Sequence, residues 1–226
     1  MFKKYIVIVC IIAGLVQSSV AQKTVYTTTG GEWIFSSANV TINGANATSI
    51  IRFSPVFNFQ TQVHRDFNDK MGLMTGIGLR NVGFIYDDPF NPGTRYKARN
   101  YNIGLPIALK FGKMNGMYFF VGYELELPIN YKQKTFVNDN KTKFNEWFSN
   151  RVPTIYNTLI AGVQLPEGMQ LKFKYYATNF YNKDYTAVDG SGNLYKPYAG
   201  YEVNVFYISL SFQILKGSSF VYNHKE

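Results

Sequence analysis

From about residue 33 onward the chain reads as roughly eight segments in which apolar and polar side chains alternate, joined by connections that run long, short, long, short. Alternation with period two is what a strand shows when one face meets an apolar phase and the other a polar one. The connection lengths add a direction, because a barrel spanning an outer membrane has short periplasmic turns and long surface loops. The pattern predicts an all-β fold: a closed, antiparallel, up-and-down barrel of about eight transmembrane strands.

Residues 101–111 carry the pattern most fully. Tyr101, Ile103, Leu105, Ile107, Leu109 and Phe111 hold one parity, and Asn102, Gly104, Pro106, Ala108 and Lys110 the other. The stretch 117–131 repeats it, with Met117, Phe119, Val121, Tyr123, Leu125, Leu127, Ile129 and Tyr131 against Tyr118, Phe120, Gly122, Glu124, Glu126, Pro128 and Asn130. Ile51, Phe53, Pro55, Phe57 and Phe59 alternate with Arg52, Ser54, Val56, Asn58 and Gln60, and Leu73, Thr75, Ile77 and Leu79 with Met74, Gly76, Gly78 and Arg80. Nearer the end, Leu171, Phe173 and Tyr175 face Lys172, Lys174 and Tyr176, and Ile208, Leu210 and Phe212 face Tyr207, Ser209 and Ser211. The second parity collects small and polar residues, so it is expected to line a narrow lumen while the first meets hydrocarbon. The first strand, around 32–40, alternates least clearly.

Turn formers mark the hairpins. Pro166-Glu167-Gly168 reads as a three-residue link with a glycine suited to positive φ, and 66–70 and 112–116 are the other short turns. Longer connections fall at 41–49, 87–95, 132–153 and 183–199. An even strand count puts both termini on the short-turn, periplasmic side. Pro55, Pro106 and Pro128 are expected within strands, where each removes a ladder hydrogen bond and calls for a bulge.

The chain opens with Lys3 and Lys4, an apolar run over 5–16 and the small-residue site Ser19-Val20-Ala21, which predicts a signal peptide over 1–21 and a barrel domain over 22–226. Cys10 lies inside that leader, preceded by Val9 where a lipoprotein signal wants a small residue, so no lipid anchor is expected. The remainder holds no cysteine and hence no disulfide framework or thiolate nucleophile. Its charge falls from the +9 of the whole chain to about +7, dispersed and without a nucleic-acid-binding signature, so no nucleic-acid partner is expected. Aromatic residues make up 17% of the chain, yet no run after the leader approaches the ~20 apolar residues of a membrane helix. A membrane protein of this composition must therefore close its strands into a barrel, where every backbone group finds a partner.

The stretches GLMTGIGLRNVG (72–83), YNIGLPIALKFG (101–112) and ISLSF (208–212), together with the leader, resemble the PorT-like outer-membrane β-barrel proteins of Gram-negative bacteria. The resemblance implies an eight-stranded barrel in the outer membrane, and some members of that family resemble components of secretion or assembly machinery. The chain departs from a common barrel ending: a tail over 216–226 follows the last strand, where many barrels stop on an aromatic such as Phe212.

Inward parity gathers Arg52, Arg80, Lys110, Lys172 and Lys174 with Glu124 and Glu126. Such a set is expected to plug the lumen with ion pairs, because an unpaired buried charge is costly; a proton path or anion site is the sharper alternative. His64, beside a short turn, is expected to be solvated, and His224 lies in the tail. No HExxH, nucleophile elbow or phosphate loop is present, so neither catalysis nor a metal or other cofactor is expected. Phe144, Trp147 and Phe148 recur at i, i+3 and i+4, which suggests one short amphipathic helical turn that caps the mouth or docks a partner. Asp184, Asp189, Gly190, Gly192 and Asn193 lack the spacing of a calcium loop and read as a flexible connection. The function expected is structural, binding or complex-assembly, secretion-related where the resemblance leads, with outer-membrane lipid and other outer-membrane or secretion-complex proteins as partners. The alternatives are a soluble periplasmic lipocalin-like binder of an apolar ligand and a lipid-modifying outer-membrane enzyme.

Overall fold

The computed structural model describes residues 23–138, 140–217 and 220–222. The leader with Cys10, and His224, lie outside the described residues. Eight long strands form the wall: β1 (Lys23–Ile42), β2 (Phe59–Asp66), β3 (Met71–Asp87), β4 (Thr94–Gly112), β5 (Tyr118–Val137), β6 (Tyr156–Gln164), β7 (Met169–Tyr176) and β8 (Tyr201–Lys216). Each pairs antiparallel with its neighbour in sequence. β8 closes on β1 from Thr28↔Lys216 to Ile42↔Tyr201, so the eight-strand wall is a closed ring. Part of the tail stays with the wall, as Phe220–Tyr222 pairs with the first residues of β1.

The alternation translates into two faces. Leu105, Ile107, Leu109, Phe119, Val121, Leu125, Leu159, Phe173 and Ile208 are exposed on the outside, while Asn102, Ala108, Lys110, Glu124, Glu126, Thr158, Lys172, Lys174 and Ser209 are buried within. β1 begins well before the expected 32–40. Its inward positions run from Thr28, Glu32 and Ser36 to Ala38 and Val40, so polar and apolar residues share one face and no clean period shows.

The prolines resolve in three ways. Pro55 is not in a strand: the chain leaves the ladder after a short strand, Arg52–Ser54, and Phe57 takes φ 61°. Val56 is consequently exposed rather than inward. Asn58 fills the gap, its Nδ2 donating to the Ser54 carbonyl (2.7 Å) and its Oδ1 accepting from the Asn81 amide (2.8 Å). Pro106 stays in β4, where the ladder to β3 skips from Thr75↔Ile107 to Gly78↔Gly104 and the Thr75 hydroxyl donates to the Pro106 carbonyl (2.8 Å). Pro128 sits at a bulge: Tyr101 pairs with Asn130 but Asn102 with Pro128, leaving Ile129 extra on β5. The extra residue inverts the parity beyond it, so Tyr131, expected to face outward, is buried in the lumen.

At the other end of the barrel the connections are largely strand. β1 turns back through Asn43 and Gly44, both at positive φ. β5 runs on to pair with an outer strand, Asn140–Trp147, from Asn130↔Trp147 to Val137↔Asn140. The helical turn expected around Phe144, Trp147 and Phe148 is therefore absent. One turn of helix closes few hydrogen bonds by itself, whereas pairing with β5 satisfies the backbone of the whole segment.

Candidate functional site

Three layers of side chains fill the lumen. Nearest the short turns, Lys110 Nζ pairs with Asp66 Oδ1 at 2.5 Å and lies over the rings of Tyr26 and Tyr118. His64 belongs to this layer and is fully buried, contrary to the solvated position expected for it: its ring stacks on Tyr26 at 4.6 Å and its Nε2 meets the Thr28 hydroxyl at 2.9 Å. Its place in β2, two residues short of the turn, makes it lumen-facing by the same alternation that buries Gln62 and Gln60. Met74, Ala108, Met114, Phe120 and Ile160 pack beside it.

The middle layer is ionic, and Arg80 is its hub. The guanidinium reaches Glu32 Oε2 through Nε (3.2 Å), Glu124 Oε1 through Nη1, and Gln60 Oε1 through Nη2 (3.2 Å). Lys172 pairs with Glu32 Oε1 at 2.8 Å, and Lys174 lies 2.6 Å from both Glu124 Oε2 and Glu126 Oε1. Glu126 Oε2 also accepts from Asn102 Nδ2 (2.7 Å) and the Tyr176 hydroxyl (2.5 Å), and Glu32 accepts from the Ser209 hydroxyl. None of the six charged side chains is more than 2% exposed. Glu124 and Glu126 stand two apart on β5 and Lys172 and Lys174 two apart on β7, so each pair shares the inner face. β6 between them offers Thr158, whose hydroxyl donates to the Glu124 carbonyl (2.8 Å). Gly78 and Gly104, paired with each other on β3 and β4 and next to Glu126, provide room, since a Cβ at either would collide with the Arg80 guanidinium, and at Gly104 also with the Glu124 carboxylate.

Carboxylates Glu32, Glu124 and Glu126 balance cations Arg80, Lys172 and Lys174, and Asp66 balances Lys110. That balance is what makes a dry ionic layer tenable, because desolvating a charge is repaid only by well-placed opposite charge and saturated hydrogen bonding. The structure thus brings together Arg80, Glu124, Glu126, Lys172 and Lys174, sets Lys110 in a separate pair, and leaves Arg52 apart. Arg52 is buried but meets no acid among the described residues; its Nη1 and Nη2 donate to the carbonyl (3.0 Å) and side-chain Oδ1 (2.7 Å) of Asn81. Sequence reasoning missed Glu32 and Asp66. Charge balance was the available signal: five inward cations against two inward acids demands further carboxylates.

The third layer is aromatic. Phe84, Tyr131 and Tyr156 from the wall pack on Phe180 and Tyr181, which enter from the connection between β7 and β8, with Tyr86 beside Phe84, while Tyr176 and Tyr207 join this layer to the ionic one. Phe180 is held by its amide to the Val203 carbonyl (2.8 Å), while its own carbonyl accepts from Tyr156 hydroxyl (2.8 Å), which in turn accepts from Asn100 Nδ2 (2.8 Å). Phe144, 38% exposed, turns toward this layer, 6.2 Å from Tyr131 and under the Arg151 guanidinium, whereas Trp147 and Phe148 are 63% and 74% exposed. The aromatic trio therefore does not share one face. Further along the same connection, Ala187–Val188 and Leu194–Tyr195 form a small hairpin. At its tip the amides of Asn193 and Ser191 hold the Asp189 carboxyl below the usual range, and at its base Lys196 does the same to Asp184.

No family model matches the chain, and no curated protein does. Among solved structures it is similar to the attachment invasion locus protein Ail of Yersinia pestis, at 10% identity and a TM-score of 0.36 over 86% of this chain and 99% of that one. It is also similar to Neisserial surface protein A, at 10% identity and a TM-score of 0.37 over 87% of this chain and 100% of the other. The outer membrane protein OprG from Pseudomonas aeruginosa matches at 13% identity and a TM-score of 0.37, covering 92% of this chain and 100% of its own.

Proposed function

We propose that this chain is an outer-membrane β-barrel of the PorT-like kind with a sealed lumen, acting as a structural or binding component of a larger envelope assembly, including secretion machinery, rather than as a pore or an enzyme. In this reading the leader directs export, the short turns and both termini face the periplasm, and the long connections face the cell exterior. The observation that carries it is the inverted polarity of the wall. Leu105, Ile107, Phe119, Val121, Leu159 and Ile208 stand exposed around the ring while Arg80, Glu124, Glu126 and Lys174 are buried inside it. Hydrocarbon outside and polar groups inside is the transmembrane arrangement; a soluble lipocalin-like binder needs the opposite. A non-catalytic role fits His64, which is engaged with Thr28 and stacked on Tyr26. Partners are accordingly outer-membrane lipid and neighbouring envelope proteins.

The test is fractionation combined with gel mobility. The protein is expected in the outer-membrane fraction, migrating faster unboiled than boiled, and in a planar bilayer it is expected to show no steady conductance. Recovery from the soluble periplasm without a mobility shift overturns the membrane reading, and stable open channels overturn the sealed lumen.

A further inference from the structure

Beyond the apolar band, β3, β4, β5 and the outer strand Asn140–Trp147 continue as one sheet, and the register brings cations face to face. Lys97 lies opposite Lys134, and Lys134 opposite Lys143. One row nearer the band Arg99 lies opposite Lys132, and one row further out Lys141 lies opposite Phe136. Phe84, Tyr86, Ala98 and Tyr131 hold the inward parity and are buried, so Lys97, Arg99, Lys132, Lys134, Lys141 and Lys143 share the outward face. Like charges directly opposed across strands destabilise a sheet. Among the described residues none of the six has an ion-pair partner; the acids nearest in register are occupied, Asp87 by Arg95 (2.6 Å) and Glu146 by Arg151 (3.6 Å).

The position of the strip says what would neutralise it. On β4 the same outward parity passes from Lys97 and Arg99 directly into Tyr101, Ile103 and Leu105, so the cations begin where the apolar band ends. On the far side of Lys97 from the band opens a groove of about 640 Å³ lined by Ile50, Ile85, Phe136 and Lys97 together with Asp87, Asp88 and Arg95, so its acids lie away from the row that meets the band. Apolar surface below and a row of cationic side chains immediately above it match the phosphate level of a lipid leaflet. We propose that this strip binds phosphate groups of lipid headgroups in the leaflet at the long-connection end of the barrel, which neutralises the opposed lysines and fixes the depth of the barrel. The inference rests on the outer-membrane reading given above.

The test compares the full mature protein with Lys134→Gln/Lys143→Gln and with Lys70→Gln/Lys113→Gln, which removes two exposed lysines at the opposite, short-turn end. The probe is diphosphorylated lipid A in detergent micelles, against the dephosphorylated form and against inorganic phosphate. The wild type and the Lys70/Lys113 variant are expected to bind the diphosphorylated form alike, and the Lys134/Lys143 variant about tenfold or more weakly at low salt, with the difference shrinking at ~0.5 M salt. Equal binding by all three proteins, an equal loss in both variants, or displacement of the lipid by millimolar phosphate overturns the proposal. Each protein is also run unboiled and boiled. A retained mobility shift with unchanged lipid binding defeats this inference alone, whereas a missing shift in the wild type defeats the membrane reading beneath it.

Discussion

The ionic middle of the lumen and its aromatic outer layer are packed by opposite chemistries inside walls of different kinds. On the short-turn side of Arg80 the wall is complete, with all eight strands hydrogen-bonded in a ring, and the Arg80 guanidinium turns back into that ring against Gly78 and Gly104. Further out β2 has ended at Phe59 and β7 at Tyr176, while β1 continues to Ile42 and β3 to Asp87. There the gaps are bridged by the short strands Arg52–Ser54 and Ser49–Ile50 and by the connection that carries Phe180 and Tyr181. A rigid ring can hold charged groups at the spacing a desolvated network requires. A wall partly made of loops cannot guarantee that spacing, and it is filled instead by rings, whose burial is favourable over a range of geometries and whose hydroxyls find partners such as Asn100 or the Phe180 carbonyl.

The sharpest way to break this contrast is Arg80→Met. It leaves Glu32, Glu124 and Glu126 facing only Lys172 and Lys174, and the loss expected on breaking a buried ionic network is about 3 to 5 kcal/mol, measured by reversible unfolding in lipid. A loss below ~1 kcal/mol, the scale of solvent-exposed pairs, would mean that water fills the layer and that the dry ionic description is wrong. Phe180→Ala probes the other region. It removes a ring packed edge-on to Phe84 at 4.9 Å and stacked with Tyr156, and a loss of about 3 kcal/mol is expected, the lower end for a buried phenylalanine because a loop can settle into the space. The two losses should differ in pH response, because acid that protonates the carboxylate left without its cation should shrink the Arg80 loss and not the Phe180 one; an equal response would erase the distinction between the layers.

The smallest effects come at the boundary. Tyr176 donates to Glu126 whereas the nearby Tyr207 hydroxyl has no hydrogen-bond partner among the described residues, the two rings lying 6.4 Å apart. Tyr176→Phe is expected to destabilise by about 1.5 to 3 kcal/mol, the range for a hydrogen bond to a charged group. Tyr207→Phe should change stability by no more than about 0.5 kcal/mol or raise it, since it deletes an unsatisfied hydroxyl. Comparable unfolding midpoints for the two variants would place the edge of the ionic layer elsewhere.

Most of the wall was legible because alternation is a local property. Leu105, Leu125, Lys110 and Lys174 took their sides from the residues next to them. The errors fall where locality fails. Tyr131 changed faces because one extra residue at Pro128 inverted the parity, and nothing in 129–131 announces it. Phe144, Trp147 and Phe148 matched a helical spacing by accident of three positions, while the pairing that decided the matter came from β5. His64 was misplaced because nearness to a turn was weighed above the parity of its own strand.

By itself the amino-acid sequence determined the class of fold, the outward face of nearly every strand and the presence of charge in the lumen, since each follows from a two-residue repeat and the chemistry of adjacent side chains. Which charges meet was decided only by the closed ring. Arg80 finds Glu32 48 residues away and Glu124 44 residues away, and Lys110 finds Asp66 at a separation of 44. Those distances are bridged by the stagger that closing eight strands imposes on their registers, a quantity that belongs to the whole barrel and to no segment of it.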